Sequence, residues 1–206
     1  EKSQYNDKEF YESASILDVA KKIGYKTYWF SNQGRYGQFD SAITMVAKTA
    51  DEAEWTDDSY NFTTKYDESL LPYLTRIDPK ANNFVVLHLM GSHIYYNNRY
   101  PDTWAKFTSA PGDSAATSAP SYANSILYTD HILSEIFAYA EKNLNLRAMI
   151  YFSDHGEDLQ ISHNPDVFKF DMVHIPMFIY LSPEYRAAMP RRTATLAARQ
   201  DAYFTN

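Results

Sequence analysis

The 206 residues carry 26 acidic against 19 basic side chains, a net charge of −7, and no cysteine. That balance speaks against a binder of nucleic-acid backbone, which needs a basic face, and it leaves any metal to Asp, Glu and His, since no thiolate or disulfide is available. The length suits one domain with a sizeable core, and no apolar run reaches the roughly 20 residues of a membrane span.

The sequence opens without Met and closes on Tyr203-Phe204-Thr205-Asn206, which reads as a piece of a longer chain. Residues 1–12 are polar, and a frayed start is expected there. Ser15 with Asp18 three residues on resembles a capping box ahead of Ile16, Leu17, Ala20 and Ile23, one apolar helical stripe that Gly24 ends. Tyr25 to Ser31 is β-branched and aromatic and reads as a strand. Helix into strand in so few residues is an α/β signature. Asn32-Gln33-Gly34 then lie at a strand's carboxyl end, as cleft lining or as a plain turn.

Ile43 to Ala50 suggests a short helix, Asp51 to Thr64 a solvated loop, and Glu68 to Arg76 a helix stopped by Asp78-Pro79. Phe84 to Met90 is the clearest buried strand, and it ends in Gly91-Ser92-His93. His88 inside it reads as a core histidine, whereas His93 stands at the edge where open parallel sheets collect functional groups. Tyr95, Tyr96, Arg99 and Tyr100 follow in a loop that could hold a phosphate or lipid headgroup, because the Arg fork donates two parallel hydrogen bonds. Packing of the loop explains the tyrosines equally well.

Residues 108–120, rich in Ser, Ala, Pro and Thr, read as a flexible connection. Ser121 is expected to cap a helix to about Glu141, buried along Ile126, Leu127, Leu133, Ile136, Phe137 and Ala140, with Asp130 interrupting the stripe as a buried hydrogen-bonding group or a catalytic contact and His131 outside it.

The organising stretch is Ala148 to Ser153, a short apolar run expected to be a strand buried on both faces, which stops at Asp154-His155-Gly156. A carboxylate oxygen beside an imidazole nitrogen suits zinc, and more loosely manganese. Neighbouring side chains on a continuing strand point apart, so both reach one ion only if the chain turns. Gly156 is expected to permit that turn through a positive φ. The plain alternative, Asp154 as a cap and His155 as a surface residue, stands beside this reading. His163, in the polar loop that follows, could fold back as a third nitrogen donor. His174 enters the strand Met177 to Leu181 rather than leaving it, so a parallel sheet would put it at the far edge. Pro183 suits the first turn of a closing helix, and residues 195–206 read as helical.

With these pieces placed, the chain resembles the sulfatase-like branch of the alkaline phosphatase superfamily, and most closely the phosphoethanolamine transferases of Gram-negative envelopes. The resemblance is carried, in order, by Gly24 to Gln33, by Leu87 to His93 continuing to Arg99-Tyr100-Pro101, by Tyr122 to Asp130, and by Ser153 to Glu157 with His163 beyond. It implies an alkaline phosphatase-like α/β fold, a mostly parallel sheet sandwiched by helices and incomplete on its amino-terminal side. Residues 1–206 would form a single domain, the carboxyl-side portion of a catalytic domain. It further implies transfer of phosphoethanolamine from phosphatidylethanolamine to a lipopolysaccharide-type acceptor, through a phosphothreonine intermediate, at the periplasmic face of the bacterial inner membrane. Asp154 and His155 would be zinc ligands; His93 and His163 would act on the substrate phosphate or a second zinc, with Arg99 on the substrate. The family's nucleophilic Thr, a further acidic zinc ligand and the membrane helices have no counterpart in these residues, and the absence of cysteine differs from members with several disulfides. A sulfatase-like phosphodiesterase or hydrolase, or a non-catalytic envelope domain of the same fold, is the alternative. His155, where sulfatases commonly carry Asn, weighs against a typical sulfatase.

Overall fold

Ser15 opens the first helix as its spacing to Asp18 suggests: its hydroxyl accepts from the Asp18 amide at 3.2 Å, while the Asp18 carboxylate accepts from the Ser15 amide at 2.9 Å. The structure, a computed structural model, describes residues 14–36, 40–57, 65–162, 164 and 166–203. They divide into two compact units, Glu1–Leu144 and Asn145–Asn206.

In the first unit, helix α1 (Ile16–Lys22) buries Leu17 and Ala20 and leaves Ile16 and Ile23 exposed, so the stripe is narrower than its four apolar residues suggest. Strand β1 (Lys26–Ser31) follows, with Tyr28 and Phe30 fully buried. It is the centre of a three-stranded parallel sheet, flanked by β2 (Glu52–Trp55) and β3 (Asn83–His88). The register pairs Ser31 with both Trp55 and His88, so the carboxyl ends of all three strands lie level. Helix α2 (Asp40–Ala47) crosses from β1 to β2. Asp51 ties the entry to β2 onto β1: its carboxylate accepts from the Thr27 amide and hydroxyl, both at 2.8 Å, and its amide donates back to that hydroxyl.

Strand β2 corrects the expected loop over 51–64. Glu-Ala-Glu-Trp is poor in strand formers, yet it completes the β1 ladder, and Arg76 spans Glu52 at 2.7 Å and Glu54 at 3.1 Å. Residues 58–64 lie outside the described part. The segment read as a helix over 68–76 is a 3₁₀ helix, Asp67–Arg76, with Pro72 inside it. Proline lacks the amide an α-helix interior requires.

Helix α3 (Ala119–Asn143) starts three residues earlier than expected and is capped by Ser118, whose hydroxyl accepts from the Ser121 amide. Pro120 fits the first turn, where its missing amide costs nothing. The buried face is rotated from the expected stripe: Tyr128, Ile132, Ile136 and Ala140 point inward with Ser121, Asn124, Ser125 and Thr129, while Ile126 is exposed. Asp130 is exposed rather than a buried hydrogen-bonding group. His131 stacks on Trp104 with ring centroids 4.6 Å apart. Small polar side chains replace aliphatic ones because the helix closes on polar loop backbone; Asn124 alone accepts from the amides of Lys106 and Phe107 and donates to the Phe107 carbonyl.

In the second unit, β4 (Ala148–Phe152) pairs with β5 (Met177–Leu181) in antiparallel register, Ala148 opposite Leu181 and Phe152 opposite Met177. Sides alternate between half-buried and exposed along β4, in place of the expected burial on both faces. Helix α4 (Pro183–Ala188) opens at Pro183 as expected, and α5 (Pro190–Ala197) begins anew at Pro190; because α5 stops at Ala197, the helix expected over 195–206 is found only for its first three residues, and residues 204–206 lie outside the described part. Among the described residues no helix is long and apolar enough to cross a membrane.

Tyr128 is the contact that fastens α3 to the 3₁₀ helix. Its ring meets Tyr66 and Trp104 edge-on, and its hydroxyl donates to Glu68 at 2.8 Å. Burial, and then that bond, push its pKa up. Tyr128→Phe is expected to lower stability by about 1 kcal/mol, the net value of one hydrogen bond, seen as a drop of several degrees in Tm; an unchanged Tm would show that the bond carries no weight.

Candidate active site

Chemistry-bearing residues gather at the carboxyl ends of the strands in both units. In the first unit the chain leaves β1 at Asn32. Far from lining a cleft, Asn32 is fully buried and acts as a brace. Its amide donates to the Lys65 carbonyl at 3.0 Å and to Asp67 Oδ1 at 2.8 Å, and its oxygen accepts from Thr56. Gln33 reaches across to the Leu89 carbonyl at 2.7 Å. Ser31 Oγ sits 3.1 Å from His88 Nδ1, so His88 is satisfied inside the sheet as expected.

Beyond β3 the chain turns at Gly91, whose φ of +58° lies in the left-handed region that favours glycine. His93 follows, half-buried. Tyr95, also left-handed at φ +66°, closes the turn. Arg99 is buried, and its fork is taken up by main chain: Nε donates to the His93 carbonyl at 3.2 Å and a terminal nitrogen to that of Ile94 at 3.1 Å. Burial lowers its pKa, and the Asp67 charge works the other way. Tyr96 and Tyr100 are buried too, against Tyr122 and the Asn124 amide. The loop tyrosines thus pack the loop, and Tyr95 remains exposed.

In the second unit Asp154 and His155 follow β4 directly. The Asp154 side chain is 79% exposed and that of His155 29%. His155 Nδ1 lies 2.7 Å from the Gly156 carbonyl. A carbonyl oxygen only accepts, so Nδ1 carries the proton, and in the neutral ring the lone pair is on Nε2. Nε2 lies 3.9 Å from Asp154 Oδ1, about half an ångström wider than the roughly 3.3 Å between two ligands of a tetrahedral zinc with bonds near 2 Å, so a small closure of the exposed carboxylate would complete the pair. A ring whose second nitrogen is bonded to a carbonyl is the arrangement that metal-ligating histidines generally have. The pair therefore fits zinc in donor type and tautomer. Among the described residues no group of three or more Asp, Glu, His or Cys is placed to hold a metal. His163 lies outside the described residues.

The turn at Gly156 differs from its expected cause. Its φ is not positive. Its backbone instead lies against the segment before β5: the Gly156 amide donates to the Met172 carbonyl at 2.8 Å, and a Cβ here would fall 1.9 Å from the Asp171 carbonyl oxygen and 2.9 Å from that of His174. Close approach, not left-handed geometry, requires the glycine. The same antiparallel pairing moves His174 from the far edge to the Asp154 end, since β5 begins where β4 stops. Asp158 then braces the following loop, accepting from the Gln160 and Ile161 amides and from Lys169 Nζ at 2.5 Å; first the lysine and then the amides hold its carboxyl below the usual range.

The sulfatase family model matches residues 1–205. Among curated proteins, phosphoethanolamine transferase EptC of Escherichia coli K12 is 28% identical over 195 residues, 86% of this chain and 34% of that protein. A putative phosphoethanolamine transferase of Haemophilus influenzae is 34% identical over 164 residues, 74% of this chain and 34% of that protein. The chain thus spans about a third of the length of these relatives. Among solved structures, the C-terminal periplasmic domain of EptC from Escherichia coli, in complex with Zn, superposes with a TM-score of 0.76 at 29% identity over 87% of this chain and 55% of that one. The integral membrane lipooligosaccharide phosphoethanolamine transferase A of Neisseria meningitidis gives 0.76 over 98% of this chain and 40% of that one; at 22% identity it bears on the fold alone. The alkaline phosphatase-like α/β architecture expected from the sequence is therefore the one found.

Gly156→Ala is expected to destabilise the second unit by about 1–3 kcal/mol, the usual range for forcing atoms into a filled space. Amide exchange in β4 and β5 measures this directly, and unchanged protection would contradict the close approach. By the extent of the match, the chain belongs to the sulfatase family.

Proposed function

We propose that this chain is part of a zinc-dependent transferase that moves phosphoethanolamine from phosphatidylethanolamine to a lipopolysaccharide or other envelope acceptor at the periplasmic face of the inner membrane. The observation that carries the reading is the His155 imidazole, protonated on Nδ1 by its bond to the Gly156 carbonyl and presenting Nε2 towards the Asp154 carboxylate. The relatives named phosphoethanolamine transferases and the zinc complex of EptC support it.

In this reading Asp154 and His155 hold Zn²⁺, with Mn²⁺ a poorer fit to an imidazole-containing pair. When bound, zinc lowers the pKa of a nucleophile and offsets negative charge on phosphoryl oxygens. The remaining work falls to the chain itself. His93 and His163 bind the substrate phosphate and hold or deliver a proton at the ester oxygens, for which an imidazole pKa near neutrality is suited. Arg99 serves the same phosphate through the loop whose carbonyls it grips. The nucleophile is a threonine supplied from outside these 206 residues, and it carries the phosphoethanolamine between two displacements.

The test is elemental analysis of the purified 206-residue chain after dialysis against trace zinc, with transfer from labelled phosphatidylethanolamine in vesicles assayed in parallel. Wild type is expected to retain zinc, and Asp154→Ala with His155→Ala to lose at least about tenfold in zinc affinity, the lower end for disturbing a ligand set. No transfer above blank is expected from the chain alone. Equal zinc in both proteins would overturn the metal assignment, and appreciable transfer by the isolated chain would overturn the external nucleophile.

A further inference from the structure

The Gly91–Tyr95 turn has two residues in the left-handed region, Gly91 and Tyr95, one on each side of His93. A bulky residue is not held there without outside contacts. Two buried charged groups make those contacts. Arg99 takes the carbonyls of His93 and Ile94, as described above. The entrance of the turn is taken by Asp67, at the start of the 3₁₀ helix: Oδ1 accepts from the Met90 amide at 2.9 Å and Oδ2 from the Gly91 amide at 2.8 Å. The third donor to this carboxylate is Asn32, at the exit of β1. Asp67 is only 5% exposed. No reading of the substrate phosphate uses it.

Two adjacent amides bound one to each carboxylate oxygen fix the orientation of the peptide between them, which a single bond does not. Asn32 fixes the carboxylate in turn, because it is itself held by the Lys65 carbonyl and the Thr56 hydroxyl. The chain of contacts runs from the exit of β1, through Asp67, to the entrance of the His93 turn. We propose that Asp67 is a positioning residue for His93, its buried carboxylate setting the direction in which the Gly91–Tyr95 turn presents the imidazole to a phosphate monoester or diester. This rests on the assignment of His93 to the substrate phosphate.

Asp67→Asn keeps the shape but replaces one of the two acceptor oxygens by an NH₂, which leaves one of the two amides facing a donor and removes the charge, so it strikes at the turn and spares packing. The readouts are the His93 imidazole resonances, hydrogen exchange at the Met90 and Gly91 amides, and the Kd for O-phosphoethanolamine in the presence of zinc. In a variant that still unfolds cooperatively, the His93 resonances are expected to shift or broaden, the two amides to lose at least about tenfold in protection, and the Kd to rise about tenfold, the equivalent of about 1.4 kcal/mol. Unshifted His93 resonances in a folded variant would overturn the proposal. Should Asp67→Asn fail to fold, exchange in the wild type decides. Protected Met90 and Gly91 amides beside a freely exchanging Ser92 amide support the clamp, and freely exchanging Met90 and Gly91 amides overturn it. Absence of O-phosphoethanolamine binding by the wild type would sink the functional reading alone, since the imidazole resonances still judge the positioning role.

Discussion

Gly156 lies where no Cβ can be added, 1.9 Å from the Asp171 carbonyl oxygen by construction, and its amide is spent on Met172. This close approach ties the exit of β4 to the entrance of β5, and the candidate metal pair depends on it. The Gly156 carbonyl that fixes the His155 tautomer belongs to the residue whose position this approach secures. Ser153 adds a second tie by donating to the His155 carbonyl at 2.7 Å. A chain continuing as a strand would have sent Asp154 and His155 to opposite faces; held this way, carboxylate and Nε2 stay within 3.9 Å. In the proposed zinc site, preorganisation of this kind would let a solvent-exposed carboxylate act as a ligand without a costly search of conformations.

The first unit solves a different problem with the same logic. Three parallel strands end level, and the loops that leave them carry polar backbone that must be satisfied without water. Asn32, Asp67 and Arg99 do this from buried positions, each with two or more bonds. Burial pushes the Asp67 carboxyl up, against the pull of the Met90, Asn32 and Gly91 donors and of the Arg99 charge. Such a network specifies geometry more than it adds stability, because each buried charge costs nearly what its contacts return. It belongs where a turn has to be held in one shape.

Signals confined to a few neighbouring residues were legible in the sequence. The Ser15–Asp18 cap, the strands β1 and β3, and the halt of β4 before Asp154 follow from local spacing and from short apolar runs, although β3 ends at His88, two residues short of the expected Met90. What depended on partners was not. Strand β2 exists because β1 offers an open edge, not because Glu-Ala-Glu-Trp favours extension. A parallel neighbour would put His174 at the far edge, and antiparallel pairing reverses which strand end it shares. Asp67 reads in sequence as one more acidic residue before a helix; only the amides arriving from 23 and 24 residues away reveal it. For the glycine at 156, sequence pointed to the right residue for the wrong reason, since steric room and left-handed φ leave the same letter in the chain.

In the proposed site His155 presents Nε2 to zinc while Nδ1 keeps its proton on the Gly156 carbonyl. Long-range proton–nitrogen correlation spectra of the histidine-labelled chain, recorded with and without one equivalent of zinc, measure both nitrogens at once. The account predicts that the His155 Nε2 resonance moves to the position of a metal-bound nitrogen, that Nδ1 keeps its proton, and that Asp154→Ala abolishes the change. A zinc-induced shift at Nδ1, or no shift at either nitrogen of a folded sample, would contradict it.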